Sequence, residues 1–498
     1  MGIIMVLTIR KTANQDYLIR PDEGEAELLL TYSFENIDTE SMYEHLYRCI
    51  KQDILQKKLK PDERLPSKRT FAKNLGVSTI TVESAYAQLV AEGYLYTRPK
   101  RGYYVCGLEH REEPPPRRAV QAPSKETPKR TYWADFVGSS VAKEMFPFSV
   151  WVKLLREVTA GEDETTLLTD TSAGGIRKLR EAIAAHLYQF RGMNIDPEQI
   201  VVGAGTEYLY SVLIQLLGRN RGYAVEDPGY LRLSKIYEKN DVRTCHIPMD
   251  GSGIIPALLE ESGAEILHIT PSHHFPTGIV MPVSRRYEFL SWASRGENRY
   301  IIEDDYDCEF RLAGKPIPTL QSIDVMEKVI YINTFSKSLA PAFRISYLVL
   351  PRHLVTRFYE TLGFYSGTVS CFEQMTLARF LEQGYFEKHI NRMRNHYRAV
   401  RDSLLAELRK SPLAGRAKIS AENAGLHFLM EVDTERADED IVRAAEEQDL
   451  RLSFVSQYYY GQEDRRPHVL VMNYSGLEEE KIPEAVARLC RAILPENP

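Results

Sequence analysis

Residues 329–344 read VIYINTFSKSLAPAFR, an apolar run that passes directly into a polar segment. The run 329–332 predicts a buried strand. Ser336 and Lys337 follow the end of that strand, and Arg344 comes seven residues after the lysine. A lysine amine in this place can form a Schiff base, while a hydroxyl and a guanidinium fork can bind a phosphate. The segment therefore predicts a ligand site at a strand end.

Similar apolar runs alternate with helical patterns from about Tyr132 to the end of the chain. Such alternation is typical of a mostly parallel sheet covered by helices, and ligands bind in the loops that follow the strands of such sheets. We therefore expect an α/β domain over residues 132–498. The other runs that predict strands are residues 200–202, 222–225, 266–269 and 300–302.

Three of these strands are followed by residues that suit the same site. Asp304 and Tyr306 follow one strand, Gly205 and Thr206 lie between a strand and a helix, and Tyr230 ends a Pro-Gly turn. A pyridoxal 5′-phosphate site needs a lysine, a carboxylate for the pyridine nitrogen, a donor to the phenolate oxygen, a stacking ring and phosphate anchors. Each group alone is common in proteins. Their occurrence together, in this order, predicts that cofactor.

The N-terminal part carries a different pattern. Apolar residues recur on one face of a helix over residues 42–54, and Ser67 and Ser78 are placed to cap two further helices. Residues 94–97 and 103–105 predict a two-stranded hairpin around a basic turn. Helix, short helix, turn, helix and basic wing is the order of a winged helix-turn-helix domain (α+β), whose third helix enters the major groove of double-stranded DNA.

The motifs LPSKR (65–69), GVSTITV (76–82) and RG (101–102) closely resemble the GntR family of regulators. The resemblance implies which residues contact DNA, with the two arginines on phosphates and Ser78 and Thr81 nearer the groove. The alternative is a winged helix that makes only protein contacts. The residues that fall at the family's DNA-contacting positions are Ser67, Arg69, Ser78, Thr79, Thr81, Arg101 and Gly102.

One of these positions departs from the family pattern. The family usually carries arginine where this chain has Thr79, and arginine is the residue best suited to bidentate guanine recognition. This loss indicates weaker direct base recognition, or greater reliance on DNA shape and on a paired half-site.

Charge is distributed unevenly along the chain. The whole chain has a formal net charge of −6, yet residues 41–106 contain twelve Lys and Arg against six Asp and Glu. A basic segment joined to an acidic remainder is what DNA binding by one part of a protein requires. The six cysteines stand singly, without metal-ligand or redox spacing, which favours a reducing cytoplasm and no metal site. No apolar run is long enough to span a bilayer.

The motifs TPSHHFPTG (270–278) and EDDYD (303–307), with the lysine segment, resemble the fold-type I aminotransferases. With its N-terminal module, the chain from about residue 29 is similar to the MocR subfamily of GntR regulators. The resemblance implies that Lys337 is the Schiff-base lysine, Asp304 the pyridine partner and Tyr306 the phenolate donor. It likewise implies that Tyr230 stacks on the cofactor and that Arg344 anchors its phosphate.

The resemblance also bears on the effector. Arg232 matches an arginine that contacts the effector in this subfamily, whereas Phe275 replaces the asparagine that aminotransferases place near the cofactor oxygen. The late arginine that binds a substrate carboxylate is missing, because residues 469–472 read VLVM. Arg451, Arg465 and Arg466 are near in sequence but not at the matching position. An effector other than an ordinary amino acid is therefore an open alternative, as is Arg232 acting alone.

These patterns predict four segments: an extension (1–37), a winged-helix domain (38–107), a proline-rich linker (108–131) and an aminotransferase-like domain (132–498). The extension is either flexible or precedes the true translation start.

Three hypotheses about function remain open. In the first, a cytoplasmic homodimeric regulator responds to an amine or amino-acid-type effector that forms an external aldimine with the cofactor. In the second, the protein is a working aminotransferase with an accessory DNA-binding domain. In the third, the cofactor is only structural. The missing arginine favours the first hypothesis.

Overall fold

A computed structural model describes residues 10–12, 15–17, 30–34, 41–107, 130–138, 145–312, 317–422, 425–461 and 465–494. The chain forms two compact units, Met1–Pro128 and Lys129–Pro498. Most of the predicted linker and of the predicted N-terminal extension lies outside the described residues.

In the described part of the first unit, three helices and a hairpin follow one another in the order that the sequence predicts for a winged helix-turn-helix. Two further strands near the N-terminus, β1 (Arg10–Thr12) and β2 (Gln15–Tyr17), pair antiparallel. The helices are α1 (Met42–Leu55), α2 (Lys68–Leu75) and α3 (Thr79–Ala91), and the antiparallel strands of the wing are β3 (Leu95–Arg98) and β4 (Gly102–Val105).

Hydroxyl caps start the second and third helices. The hydroxyl of Ser67 accepts a hydrogen bond from the N–H of Thr70 at 3.2 Å, and that of Ser78 accepts one from Thr81 at 3.1 Å. Gly76, with φ of 69°, ends α2, and this left-handed conformation favours glycine. The two caps and the glycine turn set α3 against α2, as recognition of DNA by such a domain requires.

The core of the first unit also includes part of the segment assigned above to the extension. Leu30 and Tyr32 are buried among the residues of the three helices. The hydroxyl of Tyr32 donates to Asp53, itself buried in α1, at 2.9 Å. Residues 30–34 thus pack with the winged helix, because an aromatic ring and a leucine complete an apolar core that the helices alone leave open.

The second unit is built on an eight-stranded sheet. Its strands are β6 (Ile200–Gly203), β7 (Gly222–Asp227), β8 (Arg243–Asp250), β9 (Gly253–Ile254), β10 (Ile266–Ile269), β11 (Tyr300–Asp304), β12 (Val329–Thr334) and β13 (Ser346–Val349). They lie in the order β6-β13-β12-β11-β10-β7-β8-β9. The strands β8, β7, β10, β11 and β12 run parallel, while β13 is antiparallel to both β12 and β6. The carboxyl ends of β6, β7, β10, β11 and β12 therefore share one edge.

Smaller sheets and thirteen helices among the described residues complete this unit. β14 (Ala417–Ser420), β15 (His427–Val432) and β17 (Val469–Asn473) form an antiparallel sheet, and β5 (Ala134–Asp135) pairs with β16 (Leu450–Arg451). The helices are α4 (Phe148–Gly161), α5 (Glu164–Leu168), α6 (Arg177–Arg191), α7 (Thr206–Leu217), α8 (Leu231–Lys239), α9 (Pro256–Glu261), α10 (Val283–Ser294), α11 (Leu320–Ile323), α12 (Arg352–Leu362), α13 (Cys371–Glu382), α14 (Tyr385–Lys410), α15 (Asp438–Glu447) and α16 (Ile482–Ile493).

The mostly parallel α/β sheet that the sequence predicts is confirmed. Its central strands β10, β11, β12 and β13 are buried along their whole length, as in sheets with both faces covered. None of the described helices combines the length and the apolar character that crossing a bilayer needs. All six cysteines are free thiols.

Candidate cofactor site and DNA-binding surface

The carboxyl end of β11 carries a buried carboxylate with one unpaired oxygen. Oδ2 of Asp304 accepts a hydrogen bond from the hydroxyl of Tyr210 at 2.5 Å. Oδ1 is buried and has no hydrogen-bond partner among the described residues. Leaving a buried polar atom unpaired costs about 1–3 kcal/mol. The position therefore fits an N–H donor such as a protonated pyridine nitrogen.

Two tyrosines beside this carboxylate remain protonated. Burial, together with the negative charge of Asp304, raises the pKa of Tyr210 well above its ordinary value. Burial also raises the pKa of Tyr306, and the charges of Asp307 and Asp304 raise it further. A hydroxyl that keeps its proton at neutral pH can donate to an anionic oxygen, so Tyr306 suits a phenolate oxygen.

Lys337 lies in the loop that joins β12 to β13. The N–H of Phe335 donates to the carbonyl of Ile345 at 2.9 Å and closes this loop at its base. Burial lowers the pKa of Lys337, and the charge of Asp307 opposes that shift. Within the described part of the chain, its amine makes no hydrogen bond or ion pair. A lowered pKa enlarges the fraction of neutral amine, which is the nucleophilic form.

The start of α7 forms a cradle with Arg344. Gly205 precedes this helix with φ of 91°, and a Cβ placed there would lie 2.5 Å from a guanidinium nitrogen of Arg344. The guanidinium therefore lies against bare glycine backbone, beside the free N–H groups of a helix start at Thr206. This combination suits a phosphate. The hydroxyl of Ser336 accepts from Thr334 at 2.9 Å, which holds it near the same strand end.

A single carboxylate connects Arg344 with the predicted effector residue. Oε2 of Glu207 lies 3.2 Å from Nη2 of Arg344, and Oε1 lies 2.9 Å from Nη1 of Arg232. The guanidinium of Arg232 is also 6.0 Å from the ring centre of Tyr230, whose side chain stands half-exposed at the start of α8. Glu207 thus pairs with both arginines, and its single negative charge offsets one of their two positive charges.

The candidate site also contains residues that the sequence patterns did not indicate as site residues. Nδ1 of His273 lies 2.8 Å from Oδ2 of Asp307, and the ring centre of His427 is 4.5 Å from that of His273. A Cβ at Gly425 would approach the His273 ring to 1.9 Å, so only glycine fits there. His273 stands in a motif that carries the resemblance. His427 and Gly425, however, come from a distant part of the chain and leave no local signal.

Several of the added groups are neutral at pH 7. Burial lowers the pKa of His427 well below its ordinary value and that of His274 to about 3. Burial raises the pKa of Glu226 to about 8, although its Oε2 accepts from the N–H and the hydroxyl of Thr270 at 3.0 and 2.7 Å. The strand-end edge thus brings together buried polar groups with few free charges.

The three later arginines are placed elsewhere. Arg451 pairs with Asp135 at 3.2 Å. Arg465 and Arg466 line a surface cleft that also contains Arg416 and Lys418.

The predicted DNA contacts lie on the exposed side of the first unit. Ser78 and Thr79 are exposed at the start of α3, and the neighbouring Ile80 is 75% exposed. Arg69 and Arg101 are also exposed, and their guanidinium groups form no ion pair with the described residues. Thr81 is half-buried, Ser67 caps α2, and Gly102 begins the second strand of the wing.

Two neighbouring cations are already engaged. Nζ of Lys68 lies 2.5 Å from Glu83, and Arg98 lies 3.6 Å from Asp62 and 4.6 Å from the ring centre of Tyr104. Arg69 and Arg101, which pair with no described carboxylate, are therefore more available to bind a phosphate than Lys68 and Arg98 are.

Among solved structures, the kynurenine aminotransferase of Pyrococcus horikoshii matches with a TM-score of 0.64 at 22% identity, over 73% of this chain and 91% of that chain. The multiple substrate aminotransferase from Thermococcus profundus matches with a TM-score of 0.63 at 25% identity, over 72% of this chain and 90% of that chain. These likenesses show an aminotransferase-like fold.

The family model "Bacterial regulatory proteins, gntR family" matches residues 42–105. The chain is 36% identical over 451 residues to the HTH-type transcriptional regulator YdeL of Bacillus subtilis (strain 168), which covers 90% of this chain and 96% of that protein. It is 30% identical over 470 residues to the probable rhizopine catabolism regulatory protein MocR of Rhizobium meliloti, over 91% of this chain and 94% of that protein. The chain therefore belongs to the MocR subfamily of the GntR family, transcription regulators that join a winged helix-turn-helix to an aminotransferase-like domain.

Proposed function

We propose that this regulator binds pyridoxal 5′-phosphate in its aminotransferase-like domain and responds there to an amine effector. The unpaired, buried Oδ1 of Asp304 carries this proposal, because a pyridine nitrogen that holds a proton would satisfy it. Lys337, Tyr306 and the cradle of Gly205 and Arg344 supply the other groups that the cofactor needs.

Each residue has a separate task in this proposal. Bound pyridoxal 5′-phosphate supplies an aldehyde that joins covalently to amines. Asp304 accepts the pyridine N–H, and Tyr306 donates to the phenolate oxygen. Arg344, with the helix start at Thr206, binds the phosphate. The amine of Lys337 would hold the aldehyde, and an effector amine would compete with it for that group.

Two further residues complete the cofactor site in this proposal. Tyr230, half-exposed at the start of α8, covers the pyridine ring, and Ser336 adds a hydroxyl to the phosphate anchors. Arg232, beside Tyr230, contacts the effector. The half-exposed ring leaves room for an effector to enter.

In the first domain, we propose that α3 and the wing bind an operator in double-stranded DNA. Exposed Ser78 and Thr79 meet base edges at the start of α3, while Arg69 and Arg101 hold phosphates. We further propose a cytoplasmic homodimer. The effector changes DNA binding only to the extent that it binds two states of this dimer with different affinity.

An absorbance spectrum tests the cofactor part of the proposal. Purified protein mixed with pyridoxal 5′-phosphate is expected to show a visible band that Lys337→Ala lacks. Lys410→Ala, which changes an exposed lysine at the end of α14, is the matched control and keeps the band. A band that persists in Lys337→Ala would contradict the proposed role of the lysine.

A second measurement separates the regulator from the working enzyme. An amine effector is expected to shift the band, and the shifted band is expected to remain after a keto acid is added. Repeated return of the band, with formation of a new amino acid, would instead establish turnover.

A further inference from the structure

The exposed residues of α3 form a continuous stripe on the side opposite its core contacts. The hydroxyl of Tyr86, on the buried side, donates to the carbonyl of Pro66 at 3.1 Å and fixes α3 against the segment that leads into α2. Residues three or four positions apart are neighbours on a helix surface, so the exposed residues among the first ten positions lie together. These residues, which we name the reading stripe, are Thr79, Ile80, Glu83 and Ala87.

The reading stripe offers guanine few partners. The major-groove edge of guanine presents two hydrogen-bond acceptors, which arginine or lysine satisfies best. The stripe contains no cation and no amide, and the hydroxyl of Thr79 is its one side-chain donor. The nearest amide on α3 belongs to Gln88, which is half-buried and donates to Glu92 at 3.2 Å. The stripe is therefore better suited to bases other than guanine.

Ile80 is the apolar member of the stripe at the start of the helix. It is 75% exposed, a larger fraction than that of any other large apolar side chain in the described part of the first unit. Its branched side chain has few rotamers, so little entropy is lost when it is held against a ligand. The N-terminal residues of a recognition helix are those that meet base edges, and thymine alone among the four bases carries a methyl group in the major groove.

Glu83 is the charged member of the stripe. Its Oε1 lies 2.5 Å from Nζ of Lys68, whereas its Oε2 makes no hydrogen bond with the described residues. DNA phosphates repel a carboxylate, and the ammonium of Lys68 offsets that repulsion. The remaining oxygen can only accept a hydrogen bond. The amino group of cytosine is the major-groove donor that a glutamate typically contacts, while the oxygen atoms of guanine and thymine would repel it.

The spacing of these two side chains matches one step along DNA. Three residues of a helix rise about 4.5 Å, and successive base pairs lie about 3.4 Å apart. On the next turn the same side of α3 carries Ser84 and Ala87, whose small side chains allow the helix to approach the bases closely. Ile80 and Glu83 can therefore contact adjacent base pairs.

We infer that each half-site of the operator presents a thymine methyl group to Ile80 and, on the adjacent base pair, a cytosine amino group to Glu83. This inference rests on the proposed binding of an operator by α3. It adds the chemistry of the bases that this helix recognises, and it assigns that recognition to two side chains of this chain.

Replacement of thymine by deoxyuridine tests the role of Ile80, because it removes only the methyl group. Operators are first selected from a random pool with the full-length protein at fixed salt, and each thymine is then replaced in turn. One replacement in each half-site is expected to weaken binding about fourfold, the loss that corresponds to one methyl-sized apolar contact. Ile80→Ala should be insensitive to that replacement. Val325→Ala, which shortens a side chain that is 90% exposed in the second unit, should respond like the parent protein.

Each other outcome overturns a defined statement. If no deoxyuridine weakens binding, or if the parent protein and Ile80→Ala respond equally, the inference is wrong although the protein still binds an operator. If no sequence is enriched from the pool, the proposed operator binding is itself wrong, and this inference fails with it.

A change of base preference tests the role of Glu83. Glutamine makes two hydrogen bonds with adenine, so selection with Glu83→Gln is expected to replace the cytosine beside the critical thymine by adenine. Glu360→Gln, at an exposed carboxyl on α12, should select the same operators as the parent protein. Parent operators that carry guanine or thymine in place of this cytosine, or a cytosine that Glu83→Gln still selects, would overturn the assignment of Glu83.

Discussion

At the scale of single residues, Asp304 is the side chain on which the proposed cofactor binding depends most. Its Oδ2 is held by Tyr210, and its Oδ1 is free to accept one more proton donor. The geometry orients the carboxylate before any ligand arrives, so little reorganisation is needed on binding.

Asp304→Asn is expected to weaken the binding of pyridoxal 5′-phosphate at least about tenfold, because an amide cannot hold the pyridine nitrogen protonated as a carboxylate does. Fluorescence titration of the apoprotein measures this change. Asp440→Asn, at an exposed position of α15, is the control and should bind the cofactor like the parent protein. If Asp304→Asn binds the cofactor as tightly as the parent protein, the Asp304 carboxylate does not contact the cofactor.

The Glu226 carboxyl is expected to make stability depend on pH. Its pKa is about 8 in the folded protein, against an ordinary value of 4.5, because burial penalises the charged form. The unfolded chain therefore releases this proton first as the pH rises. The free energy of unfolding should fall between about pH 4.5 and pH 8, by at most about 1.4 kcal/mol per pH unit.

Glu226→Gln removes this dependence. Urea denaturation should show the variant gaining stability over the parent protein as the pH rises through that window, with no such gain below it. Glu360→Gln, which alters an exposed carboxyl on α12, serves as the control. A stability difference that is independent of pH would show that Glu226 ionises normally in the folded protein.

In the DNA-binding domain, Arg69 and Ile80 are expected to have different tasks. Arg69→Ala should weaken binding to an operator and to random DNA by a similar factor and should reduce the salt slope by about one unit. Ile80→Ala should mainly weaken operator binding, since an exposed apolar side chain at the start of α3 can contact a thymine methyl group. Operators selected from a random pool, assayed at fixed salt, measure both effects.

Arg357→Ala, an exposed substitution on α12, is the control for the loss of positive charge. An Arg69→Ala protein that keeps both its affinity and its salt slope would show that this arginine does not contact phosphate.

At the scale of elements, local patterns predicted the three helices and the wing of the first unit and five strands of the large sheet. The hydroxyl caps of α2 and α3 act within three residues, and the strands β10 and β12 are short apolar runs, so both kinds of signal are local. The contact of Tyr458 with Phe275, and the position of His427 over His273, join residues far apart in the chain. Such pairs leave no periodic pattern in the sequence, because they form only when separate elements pack against each other.

Gly425, which directly precedes the Leu426–His427 stretch that leads into β15, is expected to be sensitive to any side chain. Its φ is 67°, and a Cβ would lie 1.9 Å from the His273 ring. Gly425→Ala should therefore destabilise the protein by about 2 kcal/mol or more, through both backbone strain and steric overlap. Gly415→Ala, where no atom lies within 4 Å of the added Cβ, is the matched control in thermal denaturation. Equal melting temperatures would argue against close packing of these two segments.

At the scale of the whole molecule, the chain combines a basic segment, residues 41–106, with an acidic remainder. The net charge of −6 hides this separation, which only a count by segment reveals. DNA affinity of the full-length protein is expected to fall steeply with salt despite its negative net charge, because phosphate contacts depend on local rather than total charge.

Sedimentation of the protein without DNA is expected to give a mass twice that of the chain; a monomer would contradict the proposed homodimer.

The short loop between β12 and β13 has a consequence for changes in chain length. Because β13 runs antiparallel to β12, Lys337 and Arg344 lie on one connection whose ends are tied by the Phe335–Ile345 hydrogen bond. In the proposed function, the lysine that reacts with the aldehyde and the arginine that binds the phosphate are therefore encoded within eight consecutive residues. A mutation that changes the length of this connection would displace both groups at once, whereas the segments that supply Asp304 and Tyr230 can change length independently of it.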